Sequence, residues 1–366
     1  MYKGIVFPKK YVQGQGALKE IGYYVEQLGK KAMLVGDEIS FSLGEKIVCD
    51  SLKKYNISFI KAEFCGECTH NEIANLANRA ESEHCDVIIG LGAGKVIDSS
   101  RAAAFKCGTK LVVAPTAVSS TAPISSSSVV YTEDHKFDVE LEFPGNPDIT
   151  LVDTDIIITA PPSQLMAGIG DAMAAWYEGE ACDKARAKVV DGGIRTHTIS
   201  VLTKACKEDL FTYAIEARES CKAHIVTPAF ERVVEAILLM AGLSFEGPSC
   251  AAAHATDTGM LNTFDELKKF KHGEIVAFTT LVEIVLGQYP ADEAKKYIYL
   301  IDQLGLPVCL EDFGINANKD KERLMKAAER ACERKIMANE PFDVTPEIIF
   351  NAIKAADTLG RFYGNR

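Results

Sequence analysis

Asp86-Val87-Ile88-Ile89-Gly90-Leu91-Gly92-Ala93-Gly94-Lys95 decides how this chain is read. A continuous apolar run of strand length passes directly into glycines, and an amphipathic stretch begins at Lys95 and extends to about Cys107. The same unit recurs outward on both sides. Upstream, residues 30–36 read as a buried strand ending at Asp37, and residues 40–54 as a helix. A second strand over 57–63 and a helix over 71–84 follow, the latter capped by Thr69 or Asn71. Downstream, a strand over 110–114 stops at Pro115, and a polar, serine-rich loop covers 116–128. A hairpin turns near Glu133 to Lys136, and a last strand covers 149–152. Strand–helix alternation of this kind implies a parallel sheet with crossover helices.

Pro161-Pro162 closes this half of the chain. Beyond it, residues 163–182, 199–221, 227–243, 272–286, 291–304, 320–338 and 345–362 carry helical periods, and strand-like runs are absent. The expected organisation is an α/β nucleotide-binding domain over 1–160 and an all-α domain over 161–366. A length of 366 residues agrees with two cores rather than one. Hydrophobic content of 47% and charged content of 25% describe an ordinary globular protein. The net charge of −11 argues against a nucleic-acid or anionic-membrane partner, so an anionic cofactor must be held locally, by backbone amides and a few cations. The longest apolar run, about 236–245, is too short to span a bilayer. Eleven scattered cysteines and an opening without export features point to reduced thiols and a cytoplasmic location. Cys65-Gly66-Glu67-Cys68 has redox or zinc spacing, but a lone CxxC with no helix start behind it is a weak signal.

Parallel sheets bind ligands at the carboxyl ends of their strands. Three stretches lie there: Asp37, residues 92–98, and the loop 116–128. Gly92-Ala93-Gly94 places backbone amides at a helix N-terminus, where a diphosphate can be held, and Lys95 adds a positive charge. The GxGxxG fingerprint is missing, so this is not the usual Rossmann signature. Asp37 could accept hydrogen bonds from both hydroxyls of an adenosine ribose and repel a 2′-phosphate; it could equally cap the helix that follows.

In the helical half, Gly168-Ile169-Gly170-Asp171-Ala172-Met173-Ala174-Ala175-Trp176-Tyr177-Glu178 sets one carboxylate at the start of a long helical run, behind what reads as a glycine-rich turn. Two histidines lie downstream, His254 after three alanines and His272 before Gly273-Glu274. Together with Asp171 they form a candidate open site for one divalent metal, with a position left for water or substrate. A capping aspartate and two unrelated helix histidines is the other reading of the same spacing.

These residues resemble the iron-containing alcohol dehydrogenase superfamily, and within it the glycerol dehydrogenases. The match is colinear from Tyr11-Val12-Gln13-Gly14 through Gly92-Ala93-Gly94-Lys95-Val96-Ile97-Asp98, Pro115-Thr116, Tyr131-Thr132-Glu133-Asp134, Asn146-Pro147-Asp148 and Leu151-Val152-Asp153 to Gly168-Ile169-Gly170-Asp171 and both histidine segments. The resemblance implies the dehydroquinate synthase-like fold, an N-terminal α/β domain and a helical C-terminal domain with a metal in the cleft between them. It implies Asp171, His254 and His272 as metal ligands. It also implies cofactor contacts from Asp37, Gly94, Lys95, Asp98, Thr116, Ser119, Ser125, Ser127 and Tyr131. NAD is expected over NADP, zinc over iron, and a homo-oligomer with no nucleic-acid or membrane partner.

Three positions depart from the family pattern. Ala93 replaces the middle glycine of Gly-Gly-Gly, Thr121 replaces an aspartate that contacts glycerol, and Asp257 replaces the second histidine of His-Ala-Ile-His. Metal-dependent hydride transfer between NAD(H) and a small alcohol, diol or polyol is the leading expectation, with Thr121, Asp257 or water relaying the proton. The same chemistry on a 2-oxo acid or hydroxycarboxylate is the alternative. A cyclising lyase like dehydroquinate synthase lacks support, since its Val-Gly-Gly-Lys-Thr segment has no counterpart here.

Overall fold

The protein is described by a computed structural model covering residues 3–188 and 193–364. Its chain divides into two compact units. One comprises Val6–Pro161 and Ser220–Gly242; the other comprises Met1–Ile5, Pro162–Glu219 and Leu243–Arg366.

The first unit is built on eight strands: β1 (Tyr11–Gly14), β2 (Lys31–Gly36), β3 (Ser58–Glu63), β4 (Val87–Gly92), β5 (Lys110–Pro115), β6 (Ser127–Tyr131), β7 (Phe137–Glu142) and β8 (Ile149–Asp153). Six of them form a sheet in the order β1-β8-β5-β4-β2-β3, with parallel pairing throughout. The two faces of the sheet bury alternate residues. Ala32, Leu34, Val87, Ile89, Leu91, Val112 and Ala114 enter one core, against α1 (Ile21–Glu26) and α2 (Glu38–Lys54). Met33, Val35, Ile88, Leu111 and Val113 enter the other, against α3 (His70–Ser82) and α4 (Gly94–Cys107). Burial on both faces is why these strands read as unbroken apolar runs. β1 escaped the sequence reading because Tyr-Val-Gln-Gly is short and has no apolar run. The hairpin found at 133–136 joins β6 and β7, an antiparallel pair outside the main sheet.

α5 (Thr154–Ile157) follows β8. The segment 220–242 contributes α8 (Pro228–Glu235), whose Glu231 accepts hydrogen bonds from Gln13 Nε2 (2.7 Å) and Thr154 Oγ1 (2.6 Å). The helix expected over 227–243 changes to a π-helical stretch at Ala236–Ala241 before α9 (Gly242–Phe245). A Cβ on Gly242 would lie 2.4 Å from Ile124, so glycine permits that approach.

The second unit contains α6 (Pro162–Ala185), α7 (His197–Ala223, as far as Glu219), α10 (Ala252–Leu261), α11 (His272–Leu286), α12 (Ala291–Gln303), α13 (Lys321–Cys332) and α14 (Pro346–Tyr363). Two corrections concern the site. The glycine-rich turn expected before Asp171 does not form: Gly168 and Gly170 lie inside α6, and so does Asp171. Those glycines serve a helix crossing. A Cβ on Gly170 would fall 2.2 Å from the Gly273 carbonyl oxygen, and one on Gly273 would fall 1.8 Å from that of Ala167. The second correction is α10, which holds His254 and which no periodic pattern marked. It is buried almost all round, so it lacks a polar stripe. The helix expected to run to 338 stops at Cys332, before a 3₁₀ turn at Lys335–Asn339.

Candidate active site

In the α/β unit, β4 delivers the chain to Gly92 and α4 starts at Gly94, with Ala93 at the N-cap and no side-chain cap. A Cβ on Gly94 would meet no atom within 4 Å. Uncapped amides facing open room suit an anion. Lys95 Nζ lies 2.7 Å from Glu67 Oε2, which is also 3.2 Å from His135 Nδ1. Burial pushes the Glu67 carboxyl up, but these two partners outweigh it and hold it below the ordinary carboxylate range. Nothing in the sequence marked Glu67 beyond its place between Cys65 and Cys68. Asp37 caps α2, its Oδ1 accepting the Ser40 amide at 2.7 Å.

The serine-rich loop is ordered by one buried cation. Arg101 donates to Asp98 Oδ1 (2.7 Å), the Ser127 carbonyl (2.6 Å), Ser128 Oγ (3.3 Å) and the Ala122 carbonyl. Burial raises the Asp98 pKa to about 6, against the pull of Arg101. Asp98 also accepts the Val129 amide at 3.4 Å, so its carboxylate is engaged within the scaffold. Ser125 Oγ accepts the Ser127 amide at 3.0 Å, and Ser127 Oγ donates to Glu140 at 2.8 Å. The Thr116 amide donates to the Gly92 carbonyl at 3.0 Å, setting the loop's start beside the glycine turn. Ser119 and Thr121 are half-buried, and Thr121 leads into the 3₁₀ turn Ala122–Ile124. The Tyr131 amide donates to Cys68 O at 2.8 Å. Burial pushes the Cys68 thiol up to about 12, the reverse of a reactive redox thiol.

In the helical unit, ligating atoms of Asp171, His254 and His272 lie within 4.8 Å of one another. His254 Nε2 is 3.3 Å and His272 Nε2 3.5 Å from the same oxygen, Asp171 Oδ1. Both Nδ1 atoms meet carboxylates: His254 with Glu178 Oε2 at 2.6 Å, and His272 with Asp257 Oδ2 at 3.3 Å. A carboxylate only accepts, so without a cation both nitrogens of each raised histidine face an acid as donors; a ring that gives up one proton keeps Nδ1–H on its supporting acid and turns a free Nε2 inward. Asp171 and Asp257 are buried, whereas the His272 side chain is 47% exposed and gives the cluster an open flank.

The electrostatics match this geometry. Burial pushes Asp171 up, but hydrogen bonds from His254 and His272 hold it far below the carboxylate range. Removal from water pulls His272 down, yet the Asp257 charge and the bonds to Asp171 and Asp257 lift it to about 10. Burial also opposes charge on His254, and Glu178 leads the interactions that raise it well above the ordinary value. The pocket is built to hold positive charge.

Glu178 was the missed member. It lies seven residues beyond Asp171 on α6, two turns along one face, and that spacing could have found it. Its Oε1 accepts the amides of Ala251 (2.7 Å) and His254 (2.9 Å), while Glu340 accepts that of Ala252 (3.0 Å). These acids cap α10, whose own N-cap, Ala251, cannot. At α11, Glu274 accepts the Lys271 amide at 2.7 Å, which sets the helix start at His272.

Residues 8–154 match the sequence profile of the iron-containing alcohol dehydrogenase family. The glycerol dehydrogenase of Thermotoga maritima is 38% identical over 98% of this chain and 98% of its own length. The glycolaldehyde reductase of Halobacterium salinarum is 35% identical, over 97% of each chain. In structure, the glycerol dehydrogenase of Schizosaccharomyces pombe aligns with a TM-score of 0.93 at 33% identity, covering 99% of this chain and 92% of that one. The class these likenesses define is that of oxidoreductases acting on alcohols. Within that class, this chain belongs to the iron-containing alcohol dehydrogenase family.

Proposed function

We propose that the protein interconverts a small diol or polyol with its carbonyl counterpart, using NAD and one divalent metal. The observation that carries the reading is the convergence of two imidazole Nε2 atoms on Asp171 Oδ1, with both Nδ1 atoms held by acids. A set of one carboxylate and two imidazoles, electrostatically suited to positive charge, fits a divalent cation. Asp171, His254 and His272 are its ligands. Zinc is favoured over iron, because hydride transfer asks no redox change of the metal. When bound, the cation supplies the positive charge that acidifies an alcohol hydroxyl, and the nicotinamide supplies the hydride acceptor.

The chain's own residues divide the remaining work. The α4 amides at Gly94 bind the diphosphate, and Lys95 exchanges Glu67 for a phosphate oxygen. Asp37 accepts the ribose hydroxyls with the carboxylate that caps α2, which favours NAD over NADP. Thr116, Ser119, Ser125, Ser127 and Tyr131 line the cofactor, and Asp98 serves them through Arg101. Thr121 faces the substrate. The named substrates of the two relatives, glycerol and glycolaldehyde, carry oxygens on adjacent carbons, and a vicinal diol is the substrate class we infer. One observation favours a second reading, reduction of a 2-oxo acid: residue 121 is an uncharged threonine where the family pattern has a carboxylate.

The test is turnover of glycerol, 1,2-propanediol, glycolaldehyde and a 2-oxo acid with NAD(H) and NADP(H). It is run before and after metal removal, and with Asp37→Gly. Expected are NAD-linked diol oxidation, its loss on chelation and return with zinc, and a weaker NAD preference in Asp37→Gly. Diol turnover that survives complete metal removal would sink the metal-dependent reading.

A further inference from the structure

We propose that Asp257 and Glu178 are positioning residues of the metal centre, each holding the Nδ1–H of one ligand histidine so that both Nε2 atoms point at the ion held with Asp171. This rests on the reading of Asp171, His254 and His272 as ligands and deepens it. Asp257 is the telling member, because it is a buried acid on α10 set against a histidine that starts α11. From the sequence, Asp257 is a candidate proton relay. In the fold it is buried, with Oδ2 3.3 Å from His272 Nδ1. Its Oδ1 has no hydrogen-bond partner among the described residues, so the carboxylate has no competing structural duty there.

The two supports have the same logic but different anchors. Glu178 reaches His254 from α6, while the Phe245 ring packs edge-on against the imidazole, centroids 5.4 Å apart. Asp257 sits on α10, three residues after His254, and reaches across to the first residue of α11. One helix thus carries a ligand and the support for the other ligand. A carboxylate behind an imidazole fixes its tautomer and orientation and raises its basicity as a ligand. A histidine at 257 would offer His272 a neutral or positive neighbour instead.

The experiment uses the full chain, stripped of metal and titrated with zinc against a chromophoric chelator, and the cobalt(II)-loaded protein read by its visible absorption. Asp257→Ala should bind zinc about 10- to 100-fold more weakly, the range for losing such a partner. Asp257→Asn, whose amide oxygen still accepts from Nδ1–H without the charge, should fall between the two. Asp257→His should also bind more weakly than the unaltered chain. The cobalt bands should shift in Asp257→Ala and recover in Asp257→Asn, which a purely structural role would not produce. Circular dichroism and Tm check that the variants fold, and Asp257→Asn serves if the alanine variant does not. An affinity and a cobalt spectrum unchanged in both Asp257→Ala and Asp257→Asn overturn the proposal. Asp171→Ala separates the two levels: if it binds zinc as the unaltered chain does, the metal-centre reading and the proposal fall together. If it loses zinc while the Asp257 variants do not, the positioning role alone is wrong.

Discussion

Thr121 is where one side chain is expected to steer substrate choice. Restoring a carboxylate there gives a second hydroxyl of a polyol a charged acceptor, a bond worth about 1.5–3 kcal/mol. Thr121→Asp should therefore raise kcat/KM for glycerol by about 10- to 150-fold and lower it for a 2-oxo acid. Unchanged values for both would place residue 121 outside the substrate wall. A second prediction at this scale follows from His272, whose pKa stands at about 10 against an ordinary 6.5. A raised histidine stabilises the fold fully below the unfolded value and loses that contribution as pH climbs to the folded one. The metal-free protein should thus lose thermal stability between pH 6.5 and 10 relative to the zinc-loaded form. Zinc must displace the proton, so apparent affinity should rise with pH until it nears 10, about tenfold per unit for each proton released. A flat affinity profile would mean that His272 is neutral before metal binds. Sequence reading reached Asp171, His254 and His272 by type and order, but His272's partner Asp257 was visible only as a departure from a pattern.

At the scale of elements, glycines of identical appearance do opposite things. Gly273 lets α11 lie against α6, where a Cβ would fall 1.8 Å from the Ala167 carbonyl oxygen. Gly273→Ala forces the helices apart beside His272 and should cost about 1–3 kcal/mol, a fall of several degrees in Tm, with weaker zinc binding. Gly94→Ala meets no atom. Stability should be unchanged or slightly improved by helix propensity, while NAD affinity drops because the methyl takes the diphosphate's room. Calorimetry with NAD and zinc titrations checks both; a Gly94→Ala protein with normal NAD affinity would remove the glycine turn from the cofactor site. The sequence cue was the same in each case, a glycine beside an apolar run. Only the neighbouring helix distinguishes a packing glycine from a ligand-facing one.

For the whole molecule, the two proposed ligands act on residues of different compact units, and their effects on stability should separate. Zinc at 100 times its Kd should add about 2.7 kcal/mol, and Asp171→Ala should abolish that gain. NAD at the same multiple should stabilise the unaltered chain and Asp171→Ala equally. If Asp171→Ala loses the NAD effect as well, the assignment of the two ligands to separate residue sets is wrong. The described helices include none long and apolar enough to cross a membrane. Local sequence was enough for the strands β2, β4 and β5, whose alternate residues fill two cores, and for the Gly-Ala-Gly turn at the head of α4. Burial pattern and backbone freedom are properties of a few adjacent residues, and they can be read there. Tertiary structure alone decided that Gly170 serves a helix crossing rather than a turn and that α10 exists. The amides at the start of α10 are satisfied by Glu178 and Glu340, separated from them by 73 to 88 positions in the chain. A helix whose cap, packing face and histidine support come from distant segments carries no local signal, because the interactions that stabilise it form only when the chain has folded.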